Sequence, residues 1–223
     1  MRYKIICVVF SLLSISLISN SQVPKGIGTS DAEAKKVLDA VSAKFKTFKT
    51  MKANFSLKIE NASGKLQGTK TGTVLMKGVK YQVSITGQEI FCDGTSIWTL
   101  DKAAKEVQLS TLDNSSGSIT PQKLFTNFYD KDFLFYLNPE IKKNGKIYQV
   151  VELTPIDKSK AFFKVILEVD KSAKMIMSTR VFEKSGNRYV YAINTFTTNI
   201  PIPDDAFVFS AKKFPGTELI DLR

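Results

Sequence analysis

The chain has 223 residues, 43% of them hydrophobic, and a formal net charge of +11, so it is long enough to bury one full core. It contains no histidine, which excludes Ser-His-Asp and Cys-His catalytic sites and imidazole metal ligands. The sequence also has no compact acidic cluster, glycine-rich phosphate loop or Cys-x-x-Cys motif. We therefore expect a protein that is not an enzyme and that uses no cofactor and no metal.

Residues 1–21 have the composition of a secretory signal peptide. Two basic residues precede an apolar run over Ile5–Ile18, and Ser19-Asn20-Ser21 supplies the small residues that a signal peptidase reads. A membrane anchor is the alternative, but this run of 14 residues is shorter than the roughly 20 that a spanning helix needs. We expect a periplasmic protein, exported and cleaved after about Ser21.

The positive charge is nearly all lysine, spread along every segment. Loss of the signal peptide removes two basic residues and leaves a formal charge of +9. One interpretation is a solvated surface that keeps the protein soluble. The other is attraction to an anionic membrane surface or to an acidic partner. The lack of a concentrated basic patch argues against nucleic acid as a partner.

The predicted exported chain keeps one cysteine, Cys92, which has no partner for an internal disulfide. It lies in an alternating run, so we expect a small buried hydrophobic residue rather than a nucleophile. Asp204-Asp205 is an adjacent acidic pair after a Pro-rich stretch. It predicts a turn or a helix cap rather than an acid/base pair.

A helix is predicted after a flexible lead-in over residues 22–30. Ser30-Asp31 supplies the cap, and apolar residues then recur at helical spacing while lysines fall on the other side. The pattern predicts an amphipathic helix with one apolar stripe formed by Val37, Leu38, Val41, Phe45 and Phe48.

From Met51 onward the period changes to two, which is typical of strands with one buried face. Asp93-Gly94 between apolar runs is a hairpin signal. A short aromatic stretch from Pro121 to Leu137 interrupts the alternation and predicts a helical insert. The predicted strands are 51–60, 69–77, 79–85, 89–92, 97–100 and 106–109 before this insert, and 148–153, 162–169, 174–183, 188–198 and a last edge segment at Phe207 and Phe209 after it.

These elements predict a mainly β protein with some helix. Its single curved antiparallel sheet forms an incomplete β-barrel, which is covered by the N-terminal helix and by a short helical lid. The apolar concave wall is either a filled core or a cavity for an apolar ligand. Alternation shows which residues of a strand share a face but not which face is concave. The predicted lipid-binding cavity consists of Phe55, Leu57, Leu75, Tyr81, Val83, Phe91, Trp98 and Ile166, and the predicted lid of Leu124, Phe125, Phe128, Phe133, Leu134 and Phe135.

Several motifs over residues 31–222 resemble the LolA family of periplasmic lipoprotein carriers. The stretch Gly72-Thr73-Val74-Leu75-Met76-Lys77 is similar to the family's Gly-x-Leu-Trp-x-Lys strand. Cys92-Asp93-Gly94-Thr95-Ser96-Ile97-Trp98 is similar to its Ser-Asp-Gly-x-x-Leu-Trp hairpin. The helix with the first strand, and the C-terminal run from Leu153-Thr154-Pro155 to Pro215-Gly216, follow the same order. The resemblance implies a LolA-like lipoprotein-carrier domain over residues 31–223.

One position departs from the family pattern. Family members commonly carry Lys-Arg-Pro after the second strand, and that arginine is linked to holding the lid closed. Here Lys77 is followed by Gly78 and Val79, so the arginine is missing. Lys80 is the nearest candidate to replace it.

The resemblance implies a carrier that moves acylated lipoproteins from the inner to the outer membrane. It also implies an inner-membrane lipoprotein-releasing ABC transporter as donor and a monomeric state, and it leaves the outer-membrane acceptor open. The alternative is a regulatory module of the same fold that senses a lipid or a peptide. An esterase is a third hypothesis, against which the missing histidine and the missing Gly-x-Ser-x-Gly motif both argue.

Overall fold

The structure is a computed structural model that describes residues 30–112 and 132–223. Hence the predicted signal peptide, nearly all of the lead-in, and Leu124, Phe125 and Phe128 of the predicted lid lie outside the described residues. The described elements are α1 (Ala32–Lys46), β1 (Met51–Glu60), β2 (Leu66–Lys77), β3 (Lys80–Ile85), β4 (Gln88–Cys92), β5 (Ser96–Asp101), β6 (Glu106–Thr111), β7 (Phe133–Lys143), β8 (Lys146–Pro155), β9 (Phe162–Asp170), β10 (Met175–Glu183), β11 (Arg188–Thr198), a 3-10 helix (Asp204–Phe207) and β12 (Glu218–Asp221).

The strands form one long curved sheet that does not close, as predicted. Its order is β12-β6-β5-β4-β3-β2-β1-β11-β10-β9-β8-β7, and neighbours are antiparallel except for the parallel pair β12–β6. Two arms built from consecutive hairpins meet where β1 pairs with β11, from Met51 opposite Thr198 to Glu60 opposite Arg188. A bulge interrupts this central ladder between Asn54 and Phe55.

Helix α1 begins as the sequence predicts. The Asp31 carboxylate accepts a hydrogen bond from the Glu33 backbone N–H at 2.9 Å, which satisfies one of the unpaired donors of the first turn. The Asp31 backbone N–H donates to the Phe135 carbonyl at 2.8 Å and so attaches the helix start to β7. The apolar stripe is buried through Val37, Leu38 and Val41, and α1 packs on β7, β8 and β10.

The main hydrophobic core lies between α1 and the face of the sheet on which it packs, which we call the helix-bearing face. Its buried side chains come from both arms, because alternate residues of successive strands point to the same side. Its buried sheet members include Met51, Ala53, Phe55, Leu57, Val74, Met76, Tyr81 and Cys92 of one arm, and Phe133, Phe135, Val151, Leu153, Val165, Leu167, Val169 and Ile176 of the other.

A second apolar layer packs on the opposite face of the sheet at β3 and β4. It is formed by residues 199–217, which we call the C-terminal strap, and it includes the buried side chains of Ile202 and Phe207. Phe91 of β4 contacts the rings of Phe209 and Phe214 at centroid distances of 6.2 and 6.0 Å. We call this opposite side the strap-bearing face.

The structure corrects two predicted elements. The predicted helical insert does not reach Leu137, because Phe133–Lys143 forms β7 and pairs with β8. The predicted edge segment at Phe207 and Phe209 is not a strand, since Asp204–Phe207 forms a 3-10 helix and the edge strand is Glu218–Asp221. Within the described ranges, no helix combines the length and apolarity that crossing a bilayer requires.

Candidate lipid-binding face

The strand registers determine which residues share the helix-bearing face. Two-residue turns join β2 to β3 and β3 to β4, so Lys77 lies opposite Lys80 and Ile85 opposite Gln88. Because such a turn has an even number of residues, an odd-numbered residue of one strand pairs with an even-numbered residue of the next. The buried residues are therefore odd-numbered in one strand and even-numbered in its neighbour. The helix-bearing face holds the odd-numbered residues of β1, β3 and β5 and the even-numbered residues of β2 and β4.

Half of the predicted cavity residues lie on this face. Phe55 and Leu57 of β1 and Tyr81 and Val83 of β3 all belong to the main core or pack against it. They come together because Met51, Met76 and Tyr81 stand side by side on β1, β2 and β3 and thereby set the alignment of the three strands.

The other half lie on the opposite face, so the prediction of one shared wall is wrong for them. Leu75 pairs with Lys52 and Gln82, away from the buried neighbours of β1. Phe91 pairs with Trp98, and both turn toward the side that the C-terminal strap covers. The fourth residue, Ile166, alternates with the buried Val165 and Leu167 and therefore points the other way.

Sequence reasoning missed several members of the helix-bearing face. The hairpin registers give those on β2–β5, for which the short turns were the available signal, whereas those on β11 depend on the long-range pairing with β1. They are Val74, Ile85, Ile90 and Ile97 on the β1–β5 side and Tyr189, Tyr191, Ile193 and Phe196 on β11.

Helix α1 covers only part of this face. It packs on β7, β8 and β10, whereas the apolar side chains continue across β2, β3, β4 and β5. On that continuation Val83, Ile85, Ile90 and Ile97 are only partly buried. The result is an apolar surface, several strands wide, that can accept alkyl chains without any specific polar contact.

Two buried polar side chains of this face, Tyr81 and Cys92, are uncharged. Tyr81 and Cys92 lie opposite each other on β3 and β4, with 4% and 0% of their surfaces exposed. Burial is the largest cause that raises the pKa of both groups above their ordinary values. Cys92 is a buried free thiol, as predicted. The buried part of the face therefore contains an uncharged phenol and thiol among apolar side chains, while the charged Lys70 of β2 and Asp101 of β5 share the face at exposed positions.

A cavity of about 450 Å³ opens where β1, β2 and β3 meet. A Cβ added at Gly72 would lie 2.6 Å from Cζ of Phe55, so the Phe55 ring rests against the glycine backbone. Polar side chains make up most of the lining, so this cavity is not itself an apolar pocket. Its lining residues are Asn54, Phe55, Thr71, Gly72, Thr73, Ser84, Ile85, Thr86, Gly87, Lys102 and Asn194.

Lys80, the candidate replacement for the missing arginine, contacts the C-terminal strap. Its Nζ lies 3.3 Å from Oδ1 of Asp204, and the Nζ of Lys77 lies 3.0 Å from the same oxygen. These two lysines lower the pKa of Asp204 below its ordinary range. Asp204 lies in the first turn of the 3-10 helix, whose N-cap residue is Pro203, so Asp204 is not the cap. Across the described part of the chain, no group of three or more Cys, Asp or Glu side chains could hold a metal ion.

Comparison with known proteins places this fold. An uncharacterized conserved protein from Thermus thermophilus has a TM-score of 0.58 at 8% identity, over 85% of this chain and 99% of that chain. A LolA superfamily protein from Nitrosomonas europaea has a TM-score of 0.43 at 18% identity, over 79% and 97%. The lipoprotein LppX from Mycobacterium tuberculosis has a TM-score of 0.48 at 9% identity, over 78% and 100%. The first of these likenesses shows the shared fold.

Family membership comes from the sequence. Comparison with curated proteins finds no match to this chain. The family model described as outer membrane lipoprotein carrier protein LolA matches residues 46–210, which run from the end of α1 into the C-terminal strap. That match includes all of β1–β11 and thus both arms of the sheet. The chain therefore belongs to the LolA family of outer membrane lipoprotein carrier proteins.

Proposed function

We propose that the protein is a periplasmic carrier that binds the acyl chains of lipoproteins and moves them from the inner to the outer membrane. The observation that supports this most directly is the extent of the helix-bearing face. Its apolar side chains continue over β2–β5 beyond the strands on which α1 packs. A surface of this kind, with its phenol and thiol held neutral, suits a ligand that is long, apolar and without charge along its chain.

The physical need for such a carrier is large. Burying one methylene is worth about 0.8 kcal/mol, so one 16-carbon acyl chain gains roughly 12 kcal/mol on leaving water. An acylated protein therefore needs a sheltered route across an aqueous compartment. Delivery also requires that the carrier hold its cargo less tightly than the acceptor does. A protein segment that competes with the cargo for the same face would weaken binding in this way.

The donor proposed for this cargo is an inner-membrane lipoprotein-releasing ABC transporter, because the family is named for lipoprotein carriage. Deleting the gene separates the carrier function from the sensor alternative. A carrier leaves lipoproteins stranded in the inner membrane when it is lost. A sensing module changes the activity of its partner and leaves lipoprotein sorting intact.

A tryptophan on the helix-bearing face tests the binding site directly. Trp98 is the chain's single tryptophan, and it lies on the strap-bearing face. In the variant that combines Val83→Trp with Trp98→Phe, a soluble acylated peptide should shift the tryptophan emission to shorter wavelength and saturate near one peptide per protein. The same peptide should leave the emission of Trp98 in the natural chain nearly unchanged, and the unacylated peptide should affect neither protein.

The reverse result would contradict the proposal. If Trp98 responds and a tryptophan at position 83 does not, the apolar ligand binds elsewhere. If neither responds and the protein does not protect an acylated lipoprotein from aggregation, the protein is not a lipid carrier.

A further inference from the structure

Three loops of different hairpins meet at one end of the sheet. The Lys184 backbone N–H donates to the Ala161 carbonyl at 2.8 Å, which joins the β10–β11 turn to the β8–β9 loop. The Arg188 guanidinium donates to the carbonyl of Ala62 in the β1–β2 turn. We call residues 61–66, 156–164 and 182–188 the loop end.

The loop end exposes large apolar side chains that the core does not use. Leu66, Ile156 and Phe163 expose 53%, 51% and 49% of their surfaces. Leu66 and Phe163 lie at the start of β2 and β9, and Ile156 lies just past the end of β8. Single exposed apolar residues are ordinary, but Ile156 and Phe163 lie at the two ends of the same β8–β9 connection and add exposed apolar surface to one part of the loop end.

Two cations lie over an aromatic ring at the same place. The rings of Phe163 and Phe182 are 6.1 Å apart between centroids. The Nζ of Lys164 lies 4.8 Å from the Phe182 centroid, and Cζ of Arg188 lies 5.5 Å from it. This arrangement keeps positive charge directly beside exposed aromatic surface.

The loop end carries a large excess of positive charge. Its three segments hold six basic residues and two acidic ones, Asp157 and Glu183. Lys158 donates to the Pro155 carbonyl, and Lys184 donates to the Lys158 carbonyl. Carbonyl contacts leave the full positive charge in place, since a carbonyl oxygen carries no formal charge to cancel it.

We propose that the loop end docks on the surface of an anionic phospholipid bilayer. Phe163 and Ile156 would enter the interfacial layer, and the surrounding lysines and Arg188 would contact headgroup phosphates. Apolar and aromatic side chains ringed by basic residues fit that layered surface, since each lysine or arginine gains from the negative potential while the rings gain from burial. A soluble acidic protein is the competing partner, and failure of the natural chain to bind anionic vesicles would favour it over the bilayer.

The docking places a cargo site close to the bilayer. Phe162, the residue before Phe163, stacks on Phe133 at 6.2 Å and packs against the core of the helix-bearing face. This consequence rests on the proposed function, whereas the docking itself requires no cargo. The two ideas can therefore fail separately.

Vesicle sedimentation of the cargo-free protein tests the docking. We expect binding to vesicles that contain one-third phosphatidylglycerol to exceed binding to pure phosphatidylcholine vesicles at least tenfold, and to fall as salt is raised. The double variant Lys164→Gln, Lys184→Gln should lose about fivefold in binding for each lysine replaced. Phe163→Ser should also weaken binding severalfold. All variants should still bind the acylated peptide, because none of these side chains lies on the helix-bearing core.

Matched controls come from other exposed positions. Leu219→Ser removes a side chain that is 55% exposed, and Lys142→Gln with Lys212→Gln removes two exposed charges elsewhere. Neither control should weaken binding as the loop-end variants do. Equal losses in controls and loop-end variants would overturn the proposal in favour of diffuse attraction. The proposal would also be overturned if the natural chain did not bind anionic vesicles. It would be overturned as well if the lysine double variant lost vesicle binding while Phe163→Ser kept it.

A second measurement reports insertion of the ring. In a Trp98→Phe background, Phe163→Trp should shift its emission to shorter wavelength on anionic vesicles. Leu219→Trp in the same background should not shift. An unshifted tryptophan at position 163 would overturn insertion at the loop end.

Discussion

At the scale of single residues, the pairing of Phe55 with Gly72 shapes the helix-bearing face. The two residues stand opposite each other on β1 and β2. A Cβ on Gly72 would lie 2.6 Å from Cζ of Phe55 and 2.5 Å from the Ser84 carbonyl oxygen. The glycine therefore makes room for the ring, and the ring covers a stretch of backbone that would otherwise be bare.

Replacing this glycine should destabilise the fold. We expect Gly72→Ala to lower the free energy of unfolding by about 1–3 kcal/mol, because the added methyl group overpacks against a ring and a backbone carbonyl. Gly68→Ala in the same strand is the control, since a Cβ there meets nothing within 4 Å. Urea denaturation should show the difference, and equal effects of the two substitutions would contradict the close packing of Phe55.

Cys92 should make the protein less stable at alkaline pH. Burial raises the thiol pKa in the folded chain, so only the unfolded chain releases this proton easily. The contribution to stability is complete below the ordinary thiol pKa of about 8.5 and decreases as pH rises above it. We expect the fall in unfolding free energy between about pH 8 and 10 to be shallower in Cys92→Ala.

Thiol labelling gives an independent check of the same residue. A thiol reagent should modify the folded protein slowly and the protein in denaturant rapidly. Ser159→Cys, at an exposed loop position, should label rapidly while the protein is folded. Fast stoichiometric labelling of Cys92 in the folded natural chain would contradict its burial.

At the scale of elements, the C-terminal strap gives one arm of the sheet a second core. Phe207 is fully buried there, and Asp204 ties the strap to Lys77 and Lys80. The strap thus packs on the face of the sheet opposite to α1. This arrangement separates the residues that stabilise the arm from the residues proposed to bind lipid.

The separation can be measured by substitution. Phe207→Ala should lower the free energy of unfolding by about 3–5 kcal/mol, because it leaves a large cavity in the strap core. The fraction that remains folded should bind an acylated peptide with unchanged affinity. Val208→Ala, at a neighbouring exposed position, should change stability by less than about 0.5 kcal/mol. Phe55→Ala should reduce stability and binding together, and a similar loss of affinity in Phe207→Ala would contradict the division between faces.

Local sequence patterns identify most of the elements but not all of them. Alternation located β1–β6 and β8–β11 but neither β7 nor β12, and the Asp31 cap located α1. The stretch Phe133–Leu137 looked helical because apolar residues follow one another without alternation. In the structure Phe133 and Phe135 enter the main core, while Leu134 and Leu137 are partly buried. A strand that is apolar on both faces loses the period that identifies it.

Assigning residues to faces was a separate problem. Leu75, Phe91 and Trp98 are apolar, and alternation alone fits either side of the sheet. The two-residue turns contained the information, since they fix the register from one strand to the next. Burial of Phe91 depends on Phe209 and Phe214, more than 100 residues away, and no local pattern reports that contact.

At the scale of the whole molecule, one sheet divides two apolar layers of different character. The layer under the C-terminal strap is closed by aromatic contacts such as the stacked pair Phe209–Phe214, 5.8 Å apart. The layer on the helix-bearing face extends beyond its helix. The chain-wide excess of lysine was visible in the sequence, but its concentration beside exposed rings depends on three loops that only the folded sheet brings together.

The pairing of β1 with β11 also determines which part of the sheet can fold last. Strands β1–β6 pair with near neighbours in sequence, and so do β7–β11. In contrast, β1 cannot complete its pairing with β11 until the chain has reached Thr198. Closing so long a loop is slow, because its entropy is lost before the contacts form. Until then the unpaired edge of β1 is open to other chains. The nascent protein is therefore most prone to aggregation between the completion of β6 and the arrival of β11, and a holding chaperone would have its greatest effect in that interval.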